Sequence, residues 1–204
     1  MKSSDSERRT TLADSKMTVA EAIDARRSVR AFAADAVDRT SIRGLLAAAV
    51  RAPTAVHGEP WAFVIIQDHA TLQHLSDRAK PLFVDAVHRT DPDRGGYALD
   101  VFTRPDFNIF YGAGTLIVIG TTTAAPFAAA DCWLAAENLM LAARAMGLGT
   151  CVVGSALGAL NLPDVRSALG LADDYVAIAP IIVGVPAGAT PAVPRKDPRI
   201  LIWK

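Results

Sequence analysis

From residue 18 onward, apolar positions alternate between helical spacing and continuous runs. "TVAE" (18–21) is a capping box: Thr18 caps a helix start and Glu21 reaches back to it. Val19, Ala22 and Ile23 give that short helix an apolar face. In "DRTSIRGLLAAAVRAP", Ile42, Leu45, Leu46, Ala49 and Val50 recur at helical spacing until Pro53 ends the pattern. "WAFVIIQ" (61–67) predicts a strand. Residues 69–90 are helical in pattern, with Pro81 as a candidate break. Residues 91–108, rich in Asp, Pro, Gly and aromatics, predict a long loop or lid. "GTLIVIGTTT" (114–123) has the continuous apolar run of a strand buried on both faces. "FAAADCWLAAENLMLAARAM" (127–146) is apolar almost all round, which predicts a buried helix of the kind found at subunit interfaces, and "GLG" stops it. "TCVVG" (150–154) and "YVAIAPIIVG" (175–184) predict two more strands. The final "RILIWK" suits an apolar arm lying on a partner chain.

The strands and helices do not repeat as βαβ units. A GxGxxG turn and a GxxxxGK[ST] loop are both missing, so a dinucleotide-binding Rossmann domain or a P-loop is a weak reading. The pattern predicts a flexible N-terminal tail at 1–16 and one domain over 17–204. Hydrophobic residues make up 51 % of the 204 and charged residues 21 %, as in a globular chain. Lys plus Arg equals Asp plus Glu at 21 each, which argues against nucleic-acid binding. No run approaches the roughly 20 apolar residues of a membrane span. The polar N-terminal segment lacks an apolar signal core, so the expectation is a cytoplasmic protein without a membrane partner. Cys132 and Cys151 have no metal-ligand spacing and read as two buried thiols; no metal site is expected.

Charge is nonetheless concentrated locally. "RRSVR" (26–30) places three arginines and a serine at the end of the first helix. In an extended segment Arg26, Ser28 and Arg30 share a face, while Arg27 and Val29 take the other. Guanidinium forks and a hydroxyl make a phosphate clamp; a solvated helix end is the alternative. "RAPTAVHGEPWAFVII" (51–66) sets a loop of small residues between helix and strand, with His57 and Glu59 as polar candidates. "NLMLAARAMGLGTCVVGSA" (138–156) joins the apolar helix to a strand, although helix C-capping also explains its glycines. "GVPAGATPAVPRKDP" (184–198) ends in the basic pair Arg195 and Lys196, which a solvated turn would also accommodate.

Taken in this order and spacing, "RRSVRAF", "APTAVHGEPWAF", "NLMLAARAMGLG", "GVP" and "PRK" resemble the FMN-dependent nitroreductase family. The resemblance covers roughly residues 17–198. It implies an α+β fold: a mixed, mostly antiparallel central sheet flanked by helices, in an intertwined homodimer with FMN at the subunit interface. It implies that Arg26, Ser28 and Arg195, with Arg27 and Lys196 nearby, hold the FMN phosphate and ribityl chain. Arg30 would sit by the N1–O2 edge of the flavin and favour its anionic reduced form. Pro53, Thr54, Ala55 and His57 would reach the ring from the partner subunit, and the backbone of Val153 and Gly154 would lie near N5 and O4. Tyr97, Phe102, Phe107, Phe110 and Tyr111 would cover the flavin and set acceptor choice, unless they are plain core.

The implied activity is an NAD(P)H oxidoreductase that passes electrons through flavin N5 to a nitroaromatic, quinone or similar small acceptor, in ping-pong fashion, with no dedicated catalytic residue. Two alternatives stay open: a non-enzymatic FMN-sequestering protein, and a flavin-dependent dehydrogenase or dehalogenase of a specific metabolite. This chain departs from the family pattern by carrying Thr54 for Ser, His57 for Asn and Glu59 for Gln. Those changes bear on acceptor range and flavin potential more than on FMN binding.

Overall fold

The computed structural model describes residues 16–90 and 97–204. The tail expected at 1–16 thus lies outside the described residues apart from Lys16, as does the 91–96 part of the expected lid. Helix α1 (Val19–Ala25) begins as its sequence predicts. Thr18 Oγ1 accepts the Glu21 N–H at 3.2 Å and the Thr18 N–H donates to Glu21 Oε2 at 2.7 Å. Helix α2 (Arg39–Ala49) is capped by Asp38, whose carboxylate accepts the Ser41 N–H at 2.9 Å.

Among the described residues four strands form one sheet in the order β1 (Trp61–Ile66), β2 (Thr115–Thr121), β4 (Val176–Gly184), β3 (Gly149–Val152). Every strand pairing is antiparallel. The mixed character expected of the sheet is reduced to one parallel bridge, Ser28 with Thr150. Strand alternation divides the core into two layers. Ile117, Ile119, Ile181 and Val183 face α2 and α5 (Ala128–Ala145) on one side. Leu116, Val118 and Ile182 face α3 (His69–Thr90) and α6 (Leu157–Leu160) on the other. Short α7 (Pro163–Ala168) then leads back to β4.

Three expectations need correction. Residues 97–103 of the expected loop are a helix, α4 (Tyr97–Thr103), because Leu99 and Phe102 share a helical face and Leu99 is buried. Helix α3 runs through Pro81 unbroken. Pro81 lies on the exposed side, so the acceptor it deprives, the carbonyl of exposed Asp77, keeps access to water. Helix α5 is not buried all round. Ala135, Ala136, Leu139 and Ala143 are sealed in the core, yet Trp133 is 42 % and Leu134 46 % exposed. Its apolar composition reflects two faces, of which the chain's own core covers one. Both cysteines are buried and unpaired with each other, as expected.

Candidate functional site

Helix α1 ends where the arginines begin. Its C-cap, Arg26, is extended (φ −64°, ψ 135°). From there the chain runs beside β3, with the Val29 N–H donating to the Thr150 carbonyl at 2.9 Å. Val29 is buried against Gly149, where a Cβ would lie 2.8 Å from Val29 Cγ2. Ser28 and Arg30 therefore project outward. The segment after β4 returns to the same place: the Ala33 N–H donates to Val185 O and the Ala187 N–H to Ala31 O, both at 2.9 Å. Those two bonds carry residues 190–195 back over the arginines.

The result is a groove of about 730 Å³ lined by Arg26, Arg27, Ser28, Arg30, Thr190, Val193 and Arg195. Among the described residues four guanidinium groups line it against one carboxylate, Asp24. Arg27 does not turn away as strict alternation predicts. Its Nη1 donates to the carbonyls of Asp24 at 2.5 Å and Arg26 at 2.8 Å, which holds it at the groove wall. Arg26 Nε is buried and lies 3.4 Å from Glu137 Oε1, without hydrogen-bond geometry to any described acceptor.

A second cavity, about 300 Å³, is lined by Arg30, Cys151, Val153, Gly154, Phe83, Phe102 and Tyr111. Arg30 belongs to both, so a charged groove opens onto an aromatic slot. The aromatic wall is continuous. Ring centroids are 4.7 Å apart for Phe83–Phe102, 5.4 Å for Phe102–Phe107 and 5.7 Å for Phe107–Tyr111. The Arg30 guanidinium lies 5.9 Å from the Tyr111 ring centre. Tyr111 is held at φ 53° and Gly112 at φ 73°, a sharp reversal that aims the Tyr111 ring at Arg30. Burial pushes the Cys151 thiol above its ordinary pKa, opposed by Arg30, Ser28 and Arg26.

Other candidates lie elsewhere. Pro53, Thr54, Ala55 and His57 line neither cavity, and nor does Lys196. The 53–59 loop hangs instead from α5, where the carboxylate of Asp131 accepts the Ala55 N–H. Val56, His57 and Glu59 all have positive φ, and Val56 is 96 % exposed. Phe110 is sealed in the core, not part of a cover. Sequence reasoning missed Asp131 and Glu137. A lone acid in the first turn of an otherwise apolar helix was the available signal for Asp131. Among the described residues no three His, Cys, Asp or Glu side chains gather as a metal site, and no helix is long and apolar enough to cross a membrane.

The family model described as Nitroreductase family matches residues 23–185. The chain belongs to the nitroreductase family. A protein of Archaeoglobus fulgidus, provisionally named NADH dehydrogenase/NAD(P)H nitroreductase, is 25 % identical over 167 residues, covering 79 % of this chain and 81 % of the relative. A nitroreductase with bound FMN from Bacteroides fragilis superposes with a TM-score of 0.77 at 25 % identity, covering 93 % of this chain and all of that one. An iodotyrosine deiodinase bound to FMN and 3-iodo-L-tyrosine shares the fold, with a TM-score of 0.67 at 20 % identity over 90 % of this chain and 97 % of its own. The nitroreductase-family sheet and flanking helices are those the sequence predicts.

Proposed function

We propose that the chain is an FMN-dependent oxidoreductase that uses NADH or NADPH to reduce a flat organic acceptor such as a nitroaromatic or a quinone. The observation that carries this reading is the junction at Arg30 of a groove walled by arginines with a slot walled by aromatic rings. One end suits a phosphate and the other a planar ring system. Among the described residues lining the groove, Arg26, Arg27, Arg30 and Arg195 outweigh the carboxylate of Asp24, so it favours an anion. Residues and ligand chemistry therefore fit.

FMN held here would supply the redox chemistry between NAD(P)H and the acceptor. The protein contributes position and field. Arg26, Ser28 and Arg195 would hold the phosphate, with Arg27 and Lys196 adding positive charge nearby. Arg30, which lines both cavities, would place its positive charge beside the bound ring. The backbone of Val153 and Gly154 lines the slot and would lie beside a bound ring; a Cβ at Gly154 would meet only open space. Phe83, Phe102 and Tyr111 stack against the acceptor and exclude water. Pro53, Thr54, Ala55 and His57 complete the site from a second copy. Their distance from this chain's own cavities and the exposed apolar face of α5 favour a homodimer. The proposal retains the cytoplasmic location expected from the sequence.

Visible absorbance of the purified protein under anaerobic conditions tests it. A flavin spectrum that bleaches with NADH or NADPH and recovers when a nitroaromatic or quinone is added supports the proposal. A flavin spectrum that NAD(P)H leaves unchanged favours sequestration. A colourless protein that takes up no added FMN overturns the reading.

A further inference from the structure

A third cavity, about 230 Å³, flanks the 26–30 segment, and its Arg144 takes no part in the proposed cofactor site. Val29 lines it, whereas Ser28 and Arg30 line the groove, so the two spaces lie on opposite sides of one extended stretch. Three arginines face it: Arg26, Arg27 and Arg144. Arg144 comes from the last turn of α5. Its Nε is buried and has no hydrogen-bond acceptor among the described residues; Arg26 Nε, also buried, has an ion pair with Glu137 that lacks hydrogen-bond geometry. No Asp or Glu lines the cavity among the described residues. Among the described residues the carboxylate paired with these arginines is that of Glu137, which meets Arg26 Nε at 3.4 Å. A guanidinium N–H removed from water without an acceptor is costly, and more so for a charged donor. One such donor beside two further guanidinium groups, in a small space that no carboxylate lines among the described residues, marks it as a place for an oxyanion. Planar guanidinium forks match tetrahedral phosphoryl oxygens.

We propose that this cavity is a second anion site, held by Arg26, Arg27 and Arg144, that takes a phosphoryl group. Arg26, Arg27 and Thr190 line both this cavity and the groove, so the two sites adjoin. The phosphoryl group is either free phosphate or the distal phosphoryl of a flavin dinucleotide whose first phosphoryl occupies the groove.

Calorimetric titration with inorganic phosphate tests the site, in FMN-loaded and in flavin-free protein. The variants are Arg144→Gln and Arg144→Lys. The FMN-loaded protein is expected to bind phosphate. Arg144→Gln should weaken that binding by about tenfold or more, as loss of a charge-assisted pair does, and leave FMN affinity unchanged. Arg144→Lys, which keeps the charge and loses the fork, should fall between. FAD and FMN affinities separate the sources. An FAD advantage that Arg144→Gln abolishes assigns the group to a dinucleotide; phosphate binding without an FAD advantage assigns it to free phosphate. Phosphate that binds only flavin-free protein in competition with FMN, or that binds Arg144→Gln undiminished, overturns the proposal. If the chain takes up no FMN, the flavin-free titration still decides. Sensitivity to Arg144→Gln but not to Arg195→Gln supports the second site, and the reverse pattern sinks it.

Discussion

Ala55 donates its backbone N–H to the buried carboxylate of Asp131, 3.2 Å from Oδ1 and 3.3 Å from Oδ2. This bond joins the 53–59 loop to the first turn of α5. The loop needs such an anchor because Val56, His57 and Glu59 sit at positive φ, where each L-residue costs about 1–2 kcal/mol. Asp131→Ala removes the acceptor and should lower stability by about 1.5–3 kcal/mol, the worth of a hydrogen bond to a charged group. Asp131→Asn keeps one acceptor oxygen and should recover most of that. Urea denaturation measures the first effect. An FMN titration measures a second: if this loop reaches the partner's flavin, Asp131→Ala weakens FMN binding. Undiminished FMN affinity in Asp131→Ala would falsify that role for the loop.

Lys80 is a buried cation, 8 % exposed, on α3. Its Nζ donates to the Phe107 carbonyl at 3.0 Å and the Arg104 carbonyl at 3.4 Å, and pairs with Asp77 at 3.0 Å. It thereby ties down the 104–107 turn whose Phe107 ring supports Tyr111. Lys80→Met keeps the aliphatic stem and deletes the donor. Its expected effect is a several-fold rise in KM for an aromatic acceptor, with little change for ferricyanide, which needs no ring-stacking wall. Steady-state kinetics with both acceptors checks this. Equal losses with the two would mean that Lys80 supports the fold generally and not the wall.

The main elements were legible because local signals agreed with tertiary burial. The Thr18–Glu21 capping box and the apolar run of β2 each admit one reading, and the structure keeps both. The outward face of Ser28 and Arg30 around buried Val29 follows from extended alternation, whereas Arg27 departs from it and a solvated helix end stayed open as a reading. What was not legible depends on partners distant in sequence. Arg144 reads as an ordinary cation near a helix C-terminus until β3 and the 186–190 segment close around it. Gly120 is similar. A Cβ there would lie 2.4 Å from the Val176 carbonyl oxygen and 2.5 Å from the Tyr175 ring, at a bulge no local pattern announces. Residues 97–103 were misread because their flanking Asp, Pro and Gly outweighed a short helical face.

The buried acids of the core make the protein sensitive to alkali. Burial, with some help from Asp131, pushes the Cys132 thiol up to about 11 from an ordinary 9.0. Burial also raises Tyr175, whose hydroxyl donates to the Val118 carbonyl at 3.4 Å. A raised pKa in the folded state means that the unfolded chain releases its protons first. The stabilisation is therefore complete below about pH 9 and is lost as pH rises from there toward 11. Denaturation midpoints should hold level up to pH 9 and then fall, with Cys132 contributing on the order of 1–2 kcal/mol. In Cys132→Ala the slope above pH 9 should be shallower, whatever the substitution does to stability at neutral pH. An unchanged slope would remove Cys132 from the account.

Residues 200–203 present Ile, Leu, Ile and Trp to solvent, with Leu201 78 % and Trp203 86 % exposed. Trp133 and Leu134 of α5 and Val19 and Ile23 of α1 are exposed as well. Burying apolar surface yields about 25 cal/mol per Å², so covering four large side chains per chain is a substantial driving force for association. On the homodimer reading the arm lies across the second copy and keeps the 53–57 loop over the shared site. Deleting residues 199–204 should then shift the protein toward monomer and weaken FMN binding in parallel. Sedimentation velocity at several protein concentrations, with and without added FMN, measures both. A truncated chain that still sediments as a dimer but loses flavin would confine the arm to the cofactor site. A truncated chain unchanged in both respects would leave Ile200–Trp203 without the role assigned to it.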